Sequence, residues 1–281
     1  MKNHTVLAVV GLLALTGEAY AEVRKNDLAS AVAVRRRRLL VKKRFEVAPL
    51  FESTINADFR HIIGGGAKLE YHLTDKLSIG VVGVASTALN TKLVDKIVPS
   101  LEMDVDNQTR EPSRREFTDR LNKMPLHGAA YVSLTPWYGK LAAFSQAYVA
   151  FDFYFQAGVA FASLKSNCPA EICSDPAPGQ STPNPNDPNE SIPADGNPNN
   201  DPPLNSGSRV GLYLGGGIHV FLNDFLALDM TVRDYAFTDN PSGADFNADL
   251  FVSNDDNRFL HHLFFGVGIS VMLPTTVKRT P

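Results

Sequence analysis

Between His262 and Leu273 the chain alternates. Leu263, Phe265, Val267, Ile269, Val271 and Leu273 fall on one face, and Phe264, Gly266, Gly268, Ser270 and Met272 on the other. A period of two is the signature of a strand. One face is wholly apolar and the other mostly small. That fits a tilted strand with lipid on one side and a barrel lumen on the other, although a core strand of a soluble sandwich alternates in the same way. Seven earlier segments carry the same period. They are Phe45 to Ser53, Gly64 to Leu73, Leu77 to Leu89, Leu126 to Leu134, Val149 to Ser163, Arg209 to Leu222 and Phe225 to Phe237. Pro49 cannot donate to a ladder, so it predicts a bulge or an edge in the first of them.

The connections separate the two readings. Thr74-Asp75-Lys76 and Asn223-Asp224 are tight turns, and Pro136-Trp137-Tyr138-Gly139 opens a medium connection in which Lys140 to Ala147 could form one or two helical turns. The others are longer: some ten residues around Asn56 to Ile63, then Asn90 to Pro125, Leu164 to Ser208 and Thr238 to His261. Short turns on one side alternating with long loops on the other mark an outer-membrane barrel with both termini on the short side. The sequence therefore predicts an all-β, eight-stranded antiparallel up-and-down transmembrane barrel with long external loops. One loop holds an amphipathic helix candidate over Ser113 to Met124, with Ser113 and Glu116 as a capping box and Phe117, Leu121 and Met124 on one stripe. The longest connection is rich in Pro, Asn and Asp and cannot bury a core, so it is expected to be disordered or extended.

Composition bounds the rest. Residues 1–21 read as a secretory signal: Lys2, an apolar run from Val6 to Leu15, and Ala19-Tyr20-Ala21 as the cleavage site. No later apolar run is long enough for a spanning helix, so a membrane form must be a barrel. Residues 22–43 are a basic periplasmic lead-in containing Arg35 to Arg38, suited to solvent or to anionic lipid heads. Residues 44–273 form the barrel, 164–208 the long external loop and 274–281 a tail. The net charge of -3 gives no reason to expect a nucleic-acid partner. Cys168 and Cys173 share an exported loop, which favours a local disulfide over a metal site. Asp187, Asp195 and Asp201 offer oxygen ligands for calcium but lack EF-hand spacing, so no metal and no cofactor is expected.

Parity places Lys68, Glu70, His72, Asp152, Gln156, His219, Asp229 and Arg233 on the lumen face. Eight strands leave room only for side chains, so these groups should pair in an internal polar network; a narrow pore or proton path is the alternative. Aromatic residues near strand ends (Phe45, Tyr71, Trp137, Tyr138, Tyr148, Phe225, Tyr235, Phe237 and Phe259) suggest interfacial girdles. For catalysis, His127 and His261–His262 have no Ser close in sequence, and Asp239, Asp255, Asp256 and His261 form an acidic group without a defined pattern. No catalytic residue is assigned.

Four stretches carry a family resemblance: Ala33-Val-Arg-Arg-Arg-Arg38, Gly66-Ala-Lys-Leu-Glu-Tyr-His-Leu-Thr-Asp75, Trp137-Tyr-Gly-Lys-Leu141 and Leu228-Asp-Met-Thr-Val-Arg-Asp-Tyr235. In these the chain resembles the small outer-membrane β-barrel domain proteins of myxobacteria and their deltaproteobacterial relatives. The resemblance implies an outer-membrane barrel and no activity; some relatives are associated with gliding-motility or envelope complexes. The expected function is a non-enzymatic envelope scaffold or adhesin in the bacterial outer membrane. Its expected partners are outer-membrane lipids, with an envelope protein complex as a further candidate. A narrow channel is the alternative, and a lipid-modifying barrel enzyme a third.

Overall fold

The computed structural model describes residues 39–101, 114–143, 147–166, 181–184, 187–193, 206–244, 246, 256–275 and 278–279. Eight long strands make the barrel: β1 (Phe45–Thr54), β2 (Arg60–His72), β3 (Leu77–Asn90), β4 (Lys123–Ala143), β5 (Ala147–Lys165), β6 (Gly207–Phe221), β7 (Leu226–Asp239) and β8 (Arg258–Leu273). Each pairs antiparallel with the next, and β8 pairs with β1 to close the barrel. This is the up-and-down barrel that the alternation predicts. Closure leaves no free edge around the ring and pairs the backbone groups that hydrocarbon could not satisfy.

The two ends differ more sharply than the sequence suggested. Residues 73–76, 144–146 and 222–225 connect strands at one end, and residues 55–59, 91–122, 166–206 and 240–257 at the other. Two expectations are corrected here. The first long connection is only residues 55–59, because β2 begins at Arg60. The described part of the Lys140 to Ala147 region is strand, not helix: β4 runs on through Trp137 and Lys140 to Ala143, pairing with β5 as far as Ala143 opposite Ala147. A register shift between Leu134 and Trp137 accommodates Pro136, so pairing with β5 overrides the turn-like composition. The tight turns are held by side chains. Thr74 Oγ1 accepts from the Leu77 amide at 2.9 Å, and Asn223 Oδ1 from those of Phe225 and Leu226 at 2.9 and 2.8 Å.

Pro49 creates neither a bulge nor an edge. The β8–β1 register is unchanged on both sides of it, from Gly268 opposite Leu50 to Val271 opposite Val47, so the proline costs the ladder a local gap only. In the second long loop, α1 (Lys92–Ile97) and α2 (Arg114–Arg120) appear. The expected helix is shorter than predicted, since Met124 already belongs to β4; Leu121 and Met124 are nevertheless buried. Ser113 lies outside the described residues, as do Cys168, Cys173, the signal segment and most of the basic lead-in. Within the Pro/Asn-rich loop, Ser181–Asn184 pairs with Asp187–Pro193 as a short extended hairpin. Leu39–Leu40 pairs with Lys278–Arg279.

Burial along the strands is inverted relative to a protein dissolved in water. Phe51, Leu212, Leu214 and Ile269 point outward and are 50–60% exposed, while Lys68, Glu46 and Glu52 are 0% exposed. Every barrel strand contributes outward apolar side chains. Water penalises an apolar surface of this extent, whereas the hydrocarbon of a bilayer accommodates it. The surface is that of a transmembrane barrel.

Candidate functional site: the barrel interior

The inward side chains fill the barrel in two zones. Toward the turn end lies a charged network centred on the Lys68 ammonium. Its Nζ is 2.6 Å from Glu46 Oε1 and 2.7 Å from Asp229 Oδ2, and it stands 5.2 Å from the centre of the Tyr154 ring. His219 stacks on that ring and is 2.9 Å from Asp152 Oδ1 through Nδ1. The carboxylate accepts from Nδ1–H, and Nε2 lies 3.2 Å from Lys68 Nζ and 3.3 Å from Glu46 Oε1. Glu46 also accepts from Ser270 at 2.5 Å and lies 3.1 Å from His72 Nε2. Glu70 accepts from Ser78 and, at 3.0 Å, from the Tyr131 hydroxyl.

Tyr154 links this network to a second centre. Its hydroxyl donates to Asp229 and is 2.6 Å from Thr231 Oγ1, which accepts from Arg233 at 3.4 Å. Arg233 donates to Glu52 at 2.8 Å, and Glu52 also meets His127. Toward the loop end the interior becomes aromatic. His127 stacks on Phe264, Tyr235 stands edge-on to both, and Tyr213 packs against Tyr131 and Tyr235. Tyr235 and Phe237, expected in an interfacial girdle, are 0% and 1% exposed and belong to this inner layer. Inward glycines make room for these large groups. A Cβ on Gly217 would stand 2.5 Å from the Tyr154 hydroxyl, and one on Gly80 would stand 2.7 Å from that of Tyr131.

The structure places Lys68, Glu70, His72, Asp152, Gln156, His219, Asp229 and Arg233 all in the buried interior. Lys68, His72, Asp152, His219 and Asp229 share the first centre, Arg233 anchors the second, and Gln156 accepts from Tyr213 at 2.8 Å. Sequence reasoning did not count Glu46, Glu52, Tyr131, Tyr154, Tyr213 or His127 among the site residues. The signal was available for the two glutamates, which alternate with Phe45, Val47 and Phe51. Within these two centres, five carboxylates (Glu46, Glu52, Glu70, Asp152, Asp229) face two permanent cations, Lys68 and Arg233. Imidazoles and hydroxyls supply the rest of the compensation that buried charge requires.

Glu46, His219 and Asp229 bring three ligand atoms within 4.8 Å of one another. Lys68 already sits among them, so a divalent ion would have to displace an ammonium with three partners. Of the aspartates considered for calcium, Asp195 and Asp201 lie outside the described residues. The acidic group considered for catalysis is not brought together. Asp239 accepts from Asn122 at 2.7 Å in the barrel mouth, Asp256 accepts from the Phe246 amide, and His261 pairs with Asp234 on the outer surface; Asp255 is outside the described residues. Two Ser–His pairs escaped notice in the sequence. Ser86 Oγ is 3.4 Å from His127 Nδ1, but its hydroxyl donates to the Met124 carbonyl. The second pair lies between β1 and β2. Ser53 Oγ is 2.9 Å from His61 Nε2, and Thr54 Oγ1 is 3.1 Å from Nδ1. A hydroxyl behind the ring cannot stabilise an imidazolium as a carboxylate does, so the pair reads as a brace for the β1–β2 connection.

Among the described residues, side chains lie across both ends of the interior. At the loop end Leu121 and Met124 are buried, and the Asn122 amide donates to the Pro241 carbonyl at 3.2 Å. At the turn end Val41 packs with Phe221, Ala227 and Met272. Arg44 donates there to the carbonyls of Asp224 (3.2 Å), Met272 (3.1 Å) and Pro274 (3.1 Å). Burial lowers the pKa of Arg44 and the nearby Asp224 carboxylate opposes that shift.

No family model and no curated protein matches this chain. Among solved structures it is similar to the outer membrane protein OprG from Pseudomonas aeruginosa (11% identity, 83% of this chain and 96% of that chain, TM-score 0.38). It is similar to Ail, the attachment invasion locus protein of Yersinia pestis (8% identity, 83% and 99%, TM-score 0.33), and to a de novo designed transmembrane β-barrel (10% identity, 84% and 100%, TM-score 0.33). At these scores the likenesses add nothing to what the closed barrel itself shows.

Proposed function

We propose that this chain is a bacterial outer-membrane protein whose barrel is a sealed anchor for the loops at one end, with a structural or adhesive role in the envelope and no catalytic step. One observation carries the reading. The eight strands turn an apolar surface outward and fill their interior with paired charges and aromatic rings, so the barrel offers attachment without a path through it. Arg233, Tyr154, Tyr213 and Tyr235 each expose 1% or less. That filling argues against the narrow-channel alternative. The resemblance of its strand and turn motifs to the myxobacterial and deltaproteobacterial barrel proteins supports an envelope role, and the two longest connections, residues 91–122 and 166–206, both lie at the loop end.

The experiment is to refold the chain into vesicles and planar bilayers. The expected results are a band that migrates anomalously until boiled and no conductance steps above background. A soluble product without heat-modifiable migration overturns the membrane reading. Regular conductance steps overturn the sealed anchor.

A further inference from the structure

The loop ends of the strand pairs are not equivalent. β7 and β8 end on Asp239 directly opposite Arg258, and β2 and β3 on Arg60 opposite Asn90, joined by a guanidinium–amide hydrogen bond. β4 and β5 end on Lys123 directly opposite Lys165. Like charges facing each other across a ladder are destabilising. Among the described residues neither ammonium has an ion-pair or hydrogen-bond partner.

The position of this pair is as telling as its charge. Directly opposite residues share a face, and the outward series on β5 runs Phe155, Ala157, Val159, Phe161, Ser163, Lys165. The side chains are apolar up to Phe161 and polar from Ser163. On β4 the outward Leu126 is the apolar neighbour of Lys123, and both Leu126 and Phe161 are about half exposed, at 57% and 48%. Two unneutralised ammonium groups therefore stand where the apolar belt gives way to water, on the side of the long loops.

We propose that Lys123 and Lys165 bind the phosphate of an anionic lipid headgroup in the loop-side leaflet, with its acyl chains lying along Leu126, Phe161 and Val159. A phosphate between the ammoniums would turn their repulsion into two charge-assisted contacts, and the hydrocarbon below would distinguish a lipid from a free anion. This inference rests on the membrane reading above and deepens it by naming the lipid class.

The test is native mass spectrometry of the full-length barrel released from micelles. It is offered a diphosphorylated glycolipid, the same lipid without phosphates, or inorganic pyrophosphate. The variants are Lys123→Gln, Lys165→Gln, the double substitution, and Lys140→Gln at the opposite end of β4 as control. Wild type and control should retain the phosphorylated lipid over the other two probes. Retention should fall roughly 5-fold for each single substitution and roughly 30-fold for the double one, and it should weaken with salt. Equal retention by wild type and double variant overturns the site. Pyrophosphate held as tightly as the lipid overturns the lipid assignment. Heat-modifiable migration of every variant is checked alongside, so a barrel that inserts normally but shows no phosphate preference refutes this inference and leaves the membrane reading intact.

Discussion

Asp152 and Phe153 are adjacent in sequence and occupy opposite worlds. Asp152 holds His219 in a buried network, whereas Phe153 is 42% exposed on the outer wall beside Phe151. The outer wall is non-directional: any apolar side chain of suitable size satisfies it, because hydrocarbon asks only that nothing polar be left unpaired. The interior is directional. Lys68 works only with Glu46 and Asp229 in place, and Glu46 is also bound by Ser270 and His72. The inside should therefore tolerate substitution poorly and the outside well, except where charge is introduced.

The largest effect is expected for Lys68→Met. Two carboxylates would lose their shared cation while remaining buried, a loss of about 3–5 kcal/mol, read as a lower guanidinium midpoint for unfolding from vesicles. Val267→Arg puts a charge in the middle of the outer belt and should cost about 2–4 kcal/mol in the same assay. Gly217→Ala should cost about 1–3 kcal/mol, because the added methyl would meet the Met230 carbonyl and the Tyr154 ring. Arg44→Ala removes three carbonyl contacts at the turn end, worth about 1–3 kcal/mol. It should also raise hydrogen exchange at Met272, whose amide donates to Phe225. Val267→Leu should change the midpoint by no more than about 0.5 kcal/mol. If Val267→Leu proved as costly as Lys68→Met, the contrast between the two faces would be lost.

The barrel was legible because its signal is local. Alternation such as Phe151-Asp152-Phe153-Tyr154-Phe155 needs only neighbouring residues to be read, and Thr74 and Asn223 marked their turns by chemistry alone. The β4–β5 turn was not legible, because Pro136 and Gly139 look like a turn and only the ladder with β5 shows that the strand continues. Lumen residues could be named from parity, but their partners could not. Lys68 meets Asp229 across 161 positions of sequence, a meeting that exists only once the barrel closes. Closure also explains the misplacement of Phe237. Nearness to a strand end suggested an interfacial role, while its inward parity puts it under the loop-end cover, stacked on His262 at 4.3 Å.

The most direct test uses two neighbours on β8. Phe264 is 0% exposed and packs on His127, and Phe265 is 45% exposed on the outer wall. The chain has one tryptophan, Trp137. In a Trp137→Phe background, Phe265→Trp and Phe264→Trp are each refolded into vesicles whose acyl chains carry bromine at mid-depth, and fluorescence quenching is measured. The account predicts strong quenching for Phe265→Trp and little for Phe264→Trp. Equal quenching of the two, or the reverse order, would contradict it.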